Sequence, residues 1–135
     1  MGVVSYNSMS IHQGRSKRKP SGGRNTASEP KRIHRLGNSP AQTVIDDEKT
    51  VSRRIRGGDE KQVALQADTI NLHVPADDDH VQADLHEVVE SPSNQNYVRR
   101  NIITKGCIVK TSEGRARVTN RPGQDGVAQG VVVDE

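Results

Sequence analysis

The chain contains almost no aromatic side chains, and this limits the core that it can build. Tyr6 and Tyr97 are the only aromatic residues, and the sequence has neither Phe nor Trp. Val, Ile, Leu and Ala must fill the interior, and because they occupy less volume than aromatic rings, we expect a small folded body. A mean hydropathy of −0.81 with 27% charged residues also predicts that part of the chain is disordered when free.

Short runs rich in β-branched residues follow one another from residue 41 onward. Residues 68–74, D-T-I-N-L-H-V, alternate between polar and apolar side chains. Further runs, separated by Gly, Asp or Pro, occupy residues 41–45, 50–56, 61–67, 81–89, 102–111, 115–119 and 126–133. Strands at this spacing are typical of a small barrel or sandwich. We therefore predict an all-β fold, a small β-barrel-like body over residues 41–135, with one helical turn near residues 94–100.

Residues 1–40 have no apolar periodicity and are rich in Gly, Ser, Asn, Pro and cations. This composition predicts a basic, extended N-terminal arm that is disordered without its partner. Within the arm, residues 13–24 read Q-G-R-S-K-R-K-P-S-G-G-R, where glycines between clustered cations let the backbone approach phosphates closely. A solvated basic tail or a localisation-type signal is the alternative, because no aromatic residues are interleaved for base stacking.

Residues 96–126 form a second basic stretch, with turn-forming glycines and β-branched residues between the charges. Only Glu113 and Asp125 oppose its seven cations, Arg99, Arg100, Lys105, Lys110, Arg115, Arg117 and Arg121. Alternation along a strand directs Arg115 and Arg117 to one face, and R-P-G-Q-D-G after them reads as one or two tight turns. Guanidinium groups bind phosphates bidentately, so nucleic acid is the predicted partner. An ordinary hairpin with a charged outer face is the alternative.

The charges are segregated along the sequence. Residues 1–36 carry eight cations against one acid, residues 37–96 carry five against twelve, and residues 97–135 carry seven against four. A basic head and a basic C-terminal third thus flank an acidic middle. This pattern suggests one surface for a polyanion and another for solvent.

Other classes of function find no support in the sequence. There is no G-x-S-x-G, no G-x-x-x-x-G-K and no recognisable Cys–His signature. Asp77, Asp78, Asp79 and His80 lack the ligand spacing of a calcium loop, so we interpret them as a solvated acidic loop. The lone Cys107 lies in an apolar run and is expected to be a buried, small hydrophobe. No apolar run reaches about 18 residues, and no signal peptide is recognisable, which predicts a cytoplasmic protein.

Two blocks of the sequence resemble a known family. They read Q-G-R-S-K-R-K-P-S-G-G-R and Y-V-R-R-N-I-I-T-K-G-C-I-V-K-T-S-E-G-R-A-R-V-T-N-R-P-G-Q-D-G. In both blocks the chain closely resembles small-subunit ribosomal protein eight of the e type. This S8e family occurs in archaea and eukaryotes, and the length here is similar to that of the archaeal form. The resemblance extends from about residue 12 to residue 133. It implies a β-barrel-like body with a basic arm, bound to 16S-type ribosomal RNA beside other small-subunit proteins, with no cofactor and no enzymatic activity.

The resemblance also implies which residues contact RNA. The family's basic opening matches Gln13, Gly14, Arg15, Arg18, Lys19, Gly22, Gly23 and Arg24. Its second signature matches Tyr97, Arg99, Arg100, Asn101, Lys105, Arg117, Arg121, Pro122, Gly123 and Gln124. We add Lys17 and Arg115 as RNA-binding candidates from their positions within the two basic stretches. The acidic middle departs from more basic relatives, which argues against RNA contact by residues 37–96. The rival interpretation is a non-ribosomal RNA-binding regulator with an acidic protein-interaction face.

Two further hypotheses concern the gene and its source. Members of the family open with Met a few residues before Q-G-R-S, so we hypothesise that translation starts at Met9. Ten Asp exceed seven Lys, which suggests a source cell rich in salt, where dense carboxylates repel one another little. An ordinary acidic loop is the alternative explanation.

Overall fold

The computed structural model describes residues 11–30 and 32–133, which form two compact units divided between Pro40 and Ala41. The hypothesised start at Met9 lies outside the described residues. In the first unit, β1 (Ile11–His12) pairs antiparallel with β2 (Leu36–Gly37), which follows a 3-10 turn at Ile33–Arg35. None of the side chains described in this unit is buried.

The arm contains a hairpin that the sequence did not predict. The Asn25 backbone N–H donates to the Lys17 carbonyl at 2.9 Å, and the Lys19 N–H donates to the Gly23 carbonyl at 2.8 Å. The chain reverses at Gly22, whose φ of 85° is easily adopted only by glycine. The local turn therefore replaces a simple extended conformation over residues 17–25.

The second unit is a barrel with an attached three-stranded sheet. Its elements are β3 (Val44–Ile45), β4 (Lys49–Arg54), a 3-10 turn (Arg56–Gly58), β5 (Glu60–Ala67), β6 (Thr69–Val74), β7 (Asp79–Glu90), α1 (Asn96–Arg99), β8 (Ile108–Thr111), β9 (Gly114–Val118), α2 (Pro122–Asp125) and β10 (Ala128–Val132). The barrel closes in the order β10-β6-β7-β8-β9, and the sheet has the order β3-β5-β4. The predicted all-β, barrel-like body and the helical turn at α1 are confirmed.

Barrel closure depends on one parallel pair of strands. β10 pairs with β6 in parallel and with β9 in antiparallel orientation, and all other neighbours in the barrel are antiparallel. At Gly130, an added Cβ would lie 2.9 Å from the Arg117 carbonyl oxygen and 3.1 Å from Ile70 Cδ1. The closing strand therefore requires glycine at this point for lack of space.

Small aliphatic side chains fill the barrel, as the shortage of aromatic residues predicted. Alternate residues point inward along regular stretches of the barrel strands, for example Ile70 with Leu72 on β6 and Ala116 with Val118 on β9. Cys107 is completely buried in this core, and burial raises the pKa of its thiol. The interpretation of Cys107 as a small hydrophobe is thus confirmed.

Two predicted segments differ from the structure. The run 102–111 is a strand only from Ile108, because Asn101 (φ 52°) and Gly106 (φ 86°) introduce turns before it. Ile102 and Ile103 are nevertheless buried. The tight turns predicted after residue 120 are in part the single helical turn α2, which ends at Gly126 in a left-handed conformation. Within the described residues, no helix is long and apolar enough to cross a membrane.

We predict that Gly130→Ala lowers the free energy of unfolding by about 1–3 kcal/mol, because its methyl group would overlap the β9 backbone and force the strands apart. Chemical denaturation followed by far-UV circular dichroism measures the change. Gln129→Ala is the control, since Gln129 is the exposed neighbour on the same strand. Equal stability of the Gly130→Ala variant and the wild type would contradict the close packing of β10 against β9.

Candidate nucleic-acid interface

Strand β9 presents two arginines on the outer surface of the barrel. Arg115 and Arg117 are exposed, whereas Ala116 and Val118 between and after them are buried. The side chains of Ala116 and Val118 are held in the core. Because side chains alternate between the two faces of a strand, the guanidinium groups of Arg115 and Arg117 point outward. The geometry agrees with the alternation expected from the sequence.

The outer face around these arginines also carries carboxylates. Lys110 lies opposite Arg115 across the β8–β9 pair, and its Nζ is 3.7 Å from Glu87 Oε1 on β7. Arg117 and Glu90 line a cleft of about 350 Å³ together with Pro92, Gly106 and Ile108. Lys110 is therefore partly neutralised, although such an exposed pair contributes little to stability.

The end of α1 and the segment after it bring three further predicted cations to the surface. Arg99, Arg100 and Lys105 are all exposed. Arg100 Nη2 donates to Gln42 Oε1 at 3.4 Å. Lys105 lies near the end of β9, because the N–H of its neighbour Gly106 donates to the Val118 carbonyl at 2.8 Å. Lys105 is thus at the same end of the barrel as Val118, whereas Arg100 reaches toward the segment before β3.

Asn101, another predicted RNA contact, has a structural role that the sequence did not reveal. Its φ is 52°, a left-handed conformation that Asn tolerates better than most residues. Its side-chain Oδ1 accepts the Val88 N–H at 3.3 Å, and its carbonyl accepts the Ile45 N–H at 3.1 Å. Asn101 therefore connects β7 with β3, and its side-chain Nδ2 is the group left to donate to a ligand among the hydrogen bonds that the structure describes.

The residues around α2 are held close to β5. Arg121 is exposed, and its backbone N–H donates to Asp125 Oδ2 at 3.4 Å. Gln124 Oε1 accepts a hydrogen bond from Lys61 Nζ on β5. Pro122 is buried and is the first residue of the helical turn. A backbone N–H at this position has no partner within the helix, so proline is tolerated there.

The predicted arm residues surround a groove in the first unit. Arg15, Lys17, Arg18 and Arg24 line a volume of about 540 Å³, with Glu29 also at its wall. Arg18 Nη1 donates to the Gly22 carbonyl at 3.1 Å, and Arg15 Nη2 donates to the Thr26 carbonyl at 3.4 Å. The remaining predicted residues of the arm are exposed and comprise Gln13, Gly14, Lys19, Gly22 and Gly23. The groove is therefore predominantly cationic.

The sequence did not indicate that Arg53 and Lys61 are close to each other and to a predicted RNA-binding residue. These residues lie directly opposite each other across the β4–β5 pair, and Lys61 contacts the predicted residue Gln124. The negative total charge of residues 37–96 concealed them. Hairpin pairing of the two strand-like runs on either side of Gly57 and Gly58 would have been the signal that indicated their proximity.

The acidic loop after β6 is exposed to solvent. Asp78 is exposed, and its Oδ1 is 4.0 Å from His73 Nε2. His73 and His80 face each other across the β6–β7 pair with ring centroids 4.9 Å apart. Within residues 11–30 and 32–133, no group of three or more His, Cys, Asp and Glu is arranged to hold a metal ion.

Comparison with known proteins gives a consistent result over nearly the whole chain. The family model described as ribosomal protein S8e matches residues 12–133. A small ribosomal subunit protein eS8 of Methanobrevibacter smithii is 50% identical, over 93% of this chain and 100% of the relative. The proteins of the same name from Halorubrum lacusprofundi and Staphylothermus marinus are 46% and 42% identical, over 90% and 94% of this chain and 98% and 100% of the relatives.

We predict that Asn101→Ala destabilises the barrel body by about 1–3 kcal/mol, because the Val88 N–H loses its acceptor and alanine tolerates a positive φ less well than asparagine. Asn101→Gly should recover part of this loss, since glycine adopts the left-handed conformation without strain. Thermal denaturation of the variants and the wild type measures both effects. Equal stability of the alanine variant and the wild type would contradict the structural role of Asn101.

Proposed function

The chain belongs to the ribosomal protein S8e family, and from this premise we propose that it is a structural constituent of the small ribosomal subunit that binds 16S-type ribosomal RNA. It is not an enzyme. In this role it would act in the cytoplasm, beside neighbouring small-subunit proteins, and would support subunit assembly and translation. The observation that carries the RNA-binding part is the pair of exposed arginines on β9, each fixed by a buried neighbour.

Two physical effects support this proposal: phosphate contacts provide affinity, and recognition of RNA shape determines where the protein binds. Arg and Lys contacts to phosphates supply affinity without reading sequence, and exposed Arg99, Arg117 and Arg121 are available for such contacts. Structured RNA is recognised largely by shape. A closed barrel suits this task because its paired strands hold the surface cations at fixed spacing. The basic arm would add contacts over a flexible reach, and its ordering on RNA remains a prediction.

Association with the small subunit can be tested by sedimentation. We expect the protein to co-migrate with small ribosomal subunits on a sucrose gradient after a moderate-salt wash of ribosomes from the source organism. Retention is expected because several phosphate contacts act together and the RNA surface is extended. A control ribosomal protein that is known to remain bound under the same wash sets the standard. Migration only at the top of the gradient would favour the rival, a non-ribosomal regulator.

Phosphate contact by individual arginines can be tested through salt dependence. We expect Arg99→Ala, Arg117→Ala and Arg121→Ala each to weaken binding to the 16S-type RNA and to reduce the log–log slope of affinity against salt by about 0.7–0.9 for each lost contact. Fluorescence anisotropy over a salt series measures the slope.

Lys110→Ala is the matched control for this series. It also removes one cation from the outer surface, but Glu87 already offsets the charge of Lys110. The expected change in slope is therefore smaller than for the arginine variants. A wild-type slope in all three arginine variants would show that these residues face solvent in the complex.

A further inference from the structure

The acidic segment 37–96 contains a basic island in the hairpin formed by β4, the 3-10 turn Arg56–Gly58 and β5. All five cations of the segment lie within residues 49–61, and that stretch contains only two acids, Asp59 and Glu60. The other residues of the segment include ten acids and no Lys or Arg. The charge of the hairpin is thus opposite to that of the sequence around it.

The two faces of this hairpin differ in their charge pairing. On one face, Arg54 lies opposite Glu60, whose Oε2 accepts the Ser52 hydroxyl at 2.8 Å. On the other face, Arg53 lies directly opposite Lys61, and the next pair along this face is Val51 with Val63. One face is therefore balanced, whereas the other combines two like charges with aliphatic neighbours.

The like-charged pair is unfavourable in the protein alone. Like charges directly opposite each other across an antiparallel pair destabilise the sheet, and both residues are half-buried, so their stems cannot spread freely into solvent. In the part of the chain that the structure describes, no carboxylate lies within ion-pair distance of Arg53 or Lys61. An anion bound between the two cations would remove the repulsion.

Lys61 connects this face with the C-terminal basic stretch. Its ammonium donates to Gln124 Oε1 on α2, which immediately follows Arg121. α2 is held against β5 by close packing, since a Cβ at Gly126 would lie 2.8 Å from Gln62 Cβ. The Arg53–Lys61 pair is therefore at a fixed position beside a residue of the predicted RNA-binding set.

The tip of the hairpin leaves room for a large ligand. Gly57 and Gly58 have φ values of 86° and 84°, and a Cβ added to either residue would meet no described side chain or backbone beyond its immediate chain neighbours within 4 Å. The loop is closed by the Ile55 N–H, which donates to the Asp59 carbonyl at 2.8 Å. An open glycine turn allows a polyanion backbone to approach closely.

We propose that the Arg53–Lys61 face of the β4–β5 hairpin binds the phosphate backbone of RNA, as a second contact region beside α2. The proposal rests on the proposed RNA-binding function and extends it to a segment whose total charge argues against contact. The two cations hold a phosphate between them, and Gln124 orients the ammonium of Lys61. The repulsion within the free hairpin is relieved when RNA binds.

Two properties of the same variants test this proposal, with the full-length protein and a transcript of the 16S-type RNA. Arg53→Thr and Lys61→Thr should each reduce the log–log salt slope of RNA binding by about 0.7–0.9. Each should also raise the Tm of the free protein at low salt by about 1–5 °C, because the like-charge repulsion is removed. Threonine is chosen because it retains strand propensity.

Lys49→Thr is the matched control. Lys49 lies on the same strand and is exposed, but it is opposite the uncharged Gln66. The substitution therefore removes the same charge without relieving a like-charged pair. We expect an unchanged Tm and a change in slope smaller than for the other two variants.

The slope decides the outcome. A lower slope in the Arg53 and Lys61 variants than in the Lys49 variant supports the hairpin site, whatever the Tm does. Slopes equal to that of the control overturn it, even if the Tm rises. Salt-dependent binding by the wild type with unaffected hairpin variants overturns this site alone, whereas a wild type that does not bind the RNA overturns the proposed RNA-binding function as well.

Discussion

The parallel pairing of β10 with β6 is the interaction on which the barrel depends. Without it, β6–β9 would form an open antiparallel sheet with its apolar face unprotected. The pairing also fixes β9, because β10 forms the ladder on the other side of that strand. The outward direction of Arg115 and Arg117 is therefore a consequence of closure, since Ala116 and Val118 face inward only when there is a closed interior to receive them.

Local sequence patterns were sufficient for much of the fold and part of the interface. Alternation predicted the main strands and the shared face of Arg115 and Arg117, and the lack of aromatic residues predicted an aliphatic core. The remainder depends on contacts that are distant in sequence. No local pattern encodes the parallel partner of β10, the left-handed conformation of Asn101 or the approach of Lys61 to Gln124, because each is decided by packing between separate elements.

Charge totals and charge positions give different information in this protein. The total over residues 37–96 is strongly negative, yet all of its cations are gathered in one hairpin. Conversely, the basic outer surface of β8 includes Lys110, whose charge is offset by Glu87. A polyanion responds to local potential within about a Debye length, roughly 10 Å at 0.1 M salt. Local arrangement rather than segment charge therefore determines which parts of the surface attract a polyanion.

The complete burial of Cys107 has a chemical consequence. Oxidation and alkylation require an accessible thiolate, and burial both raises the pKa of this thiol and blocks reagents from reaching the sulfur. Cys107 lies in the core cluster that the barrel strands enclose, so its reactivity is tied to the integrity of the barrel. We therefore expect the Cys107 thiol of the folded protein to resist oxidants that modify exposed cysteines, and to become reactive only in molecules whose barrel has opened.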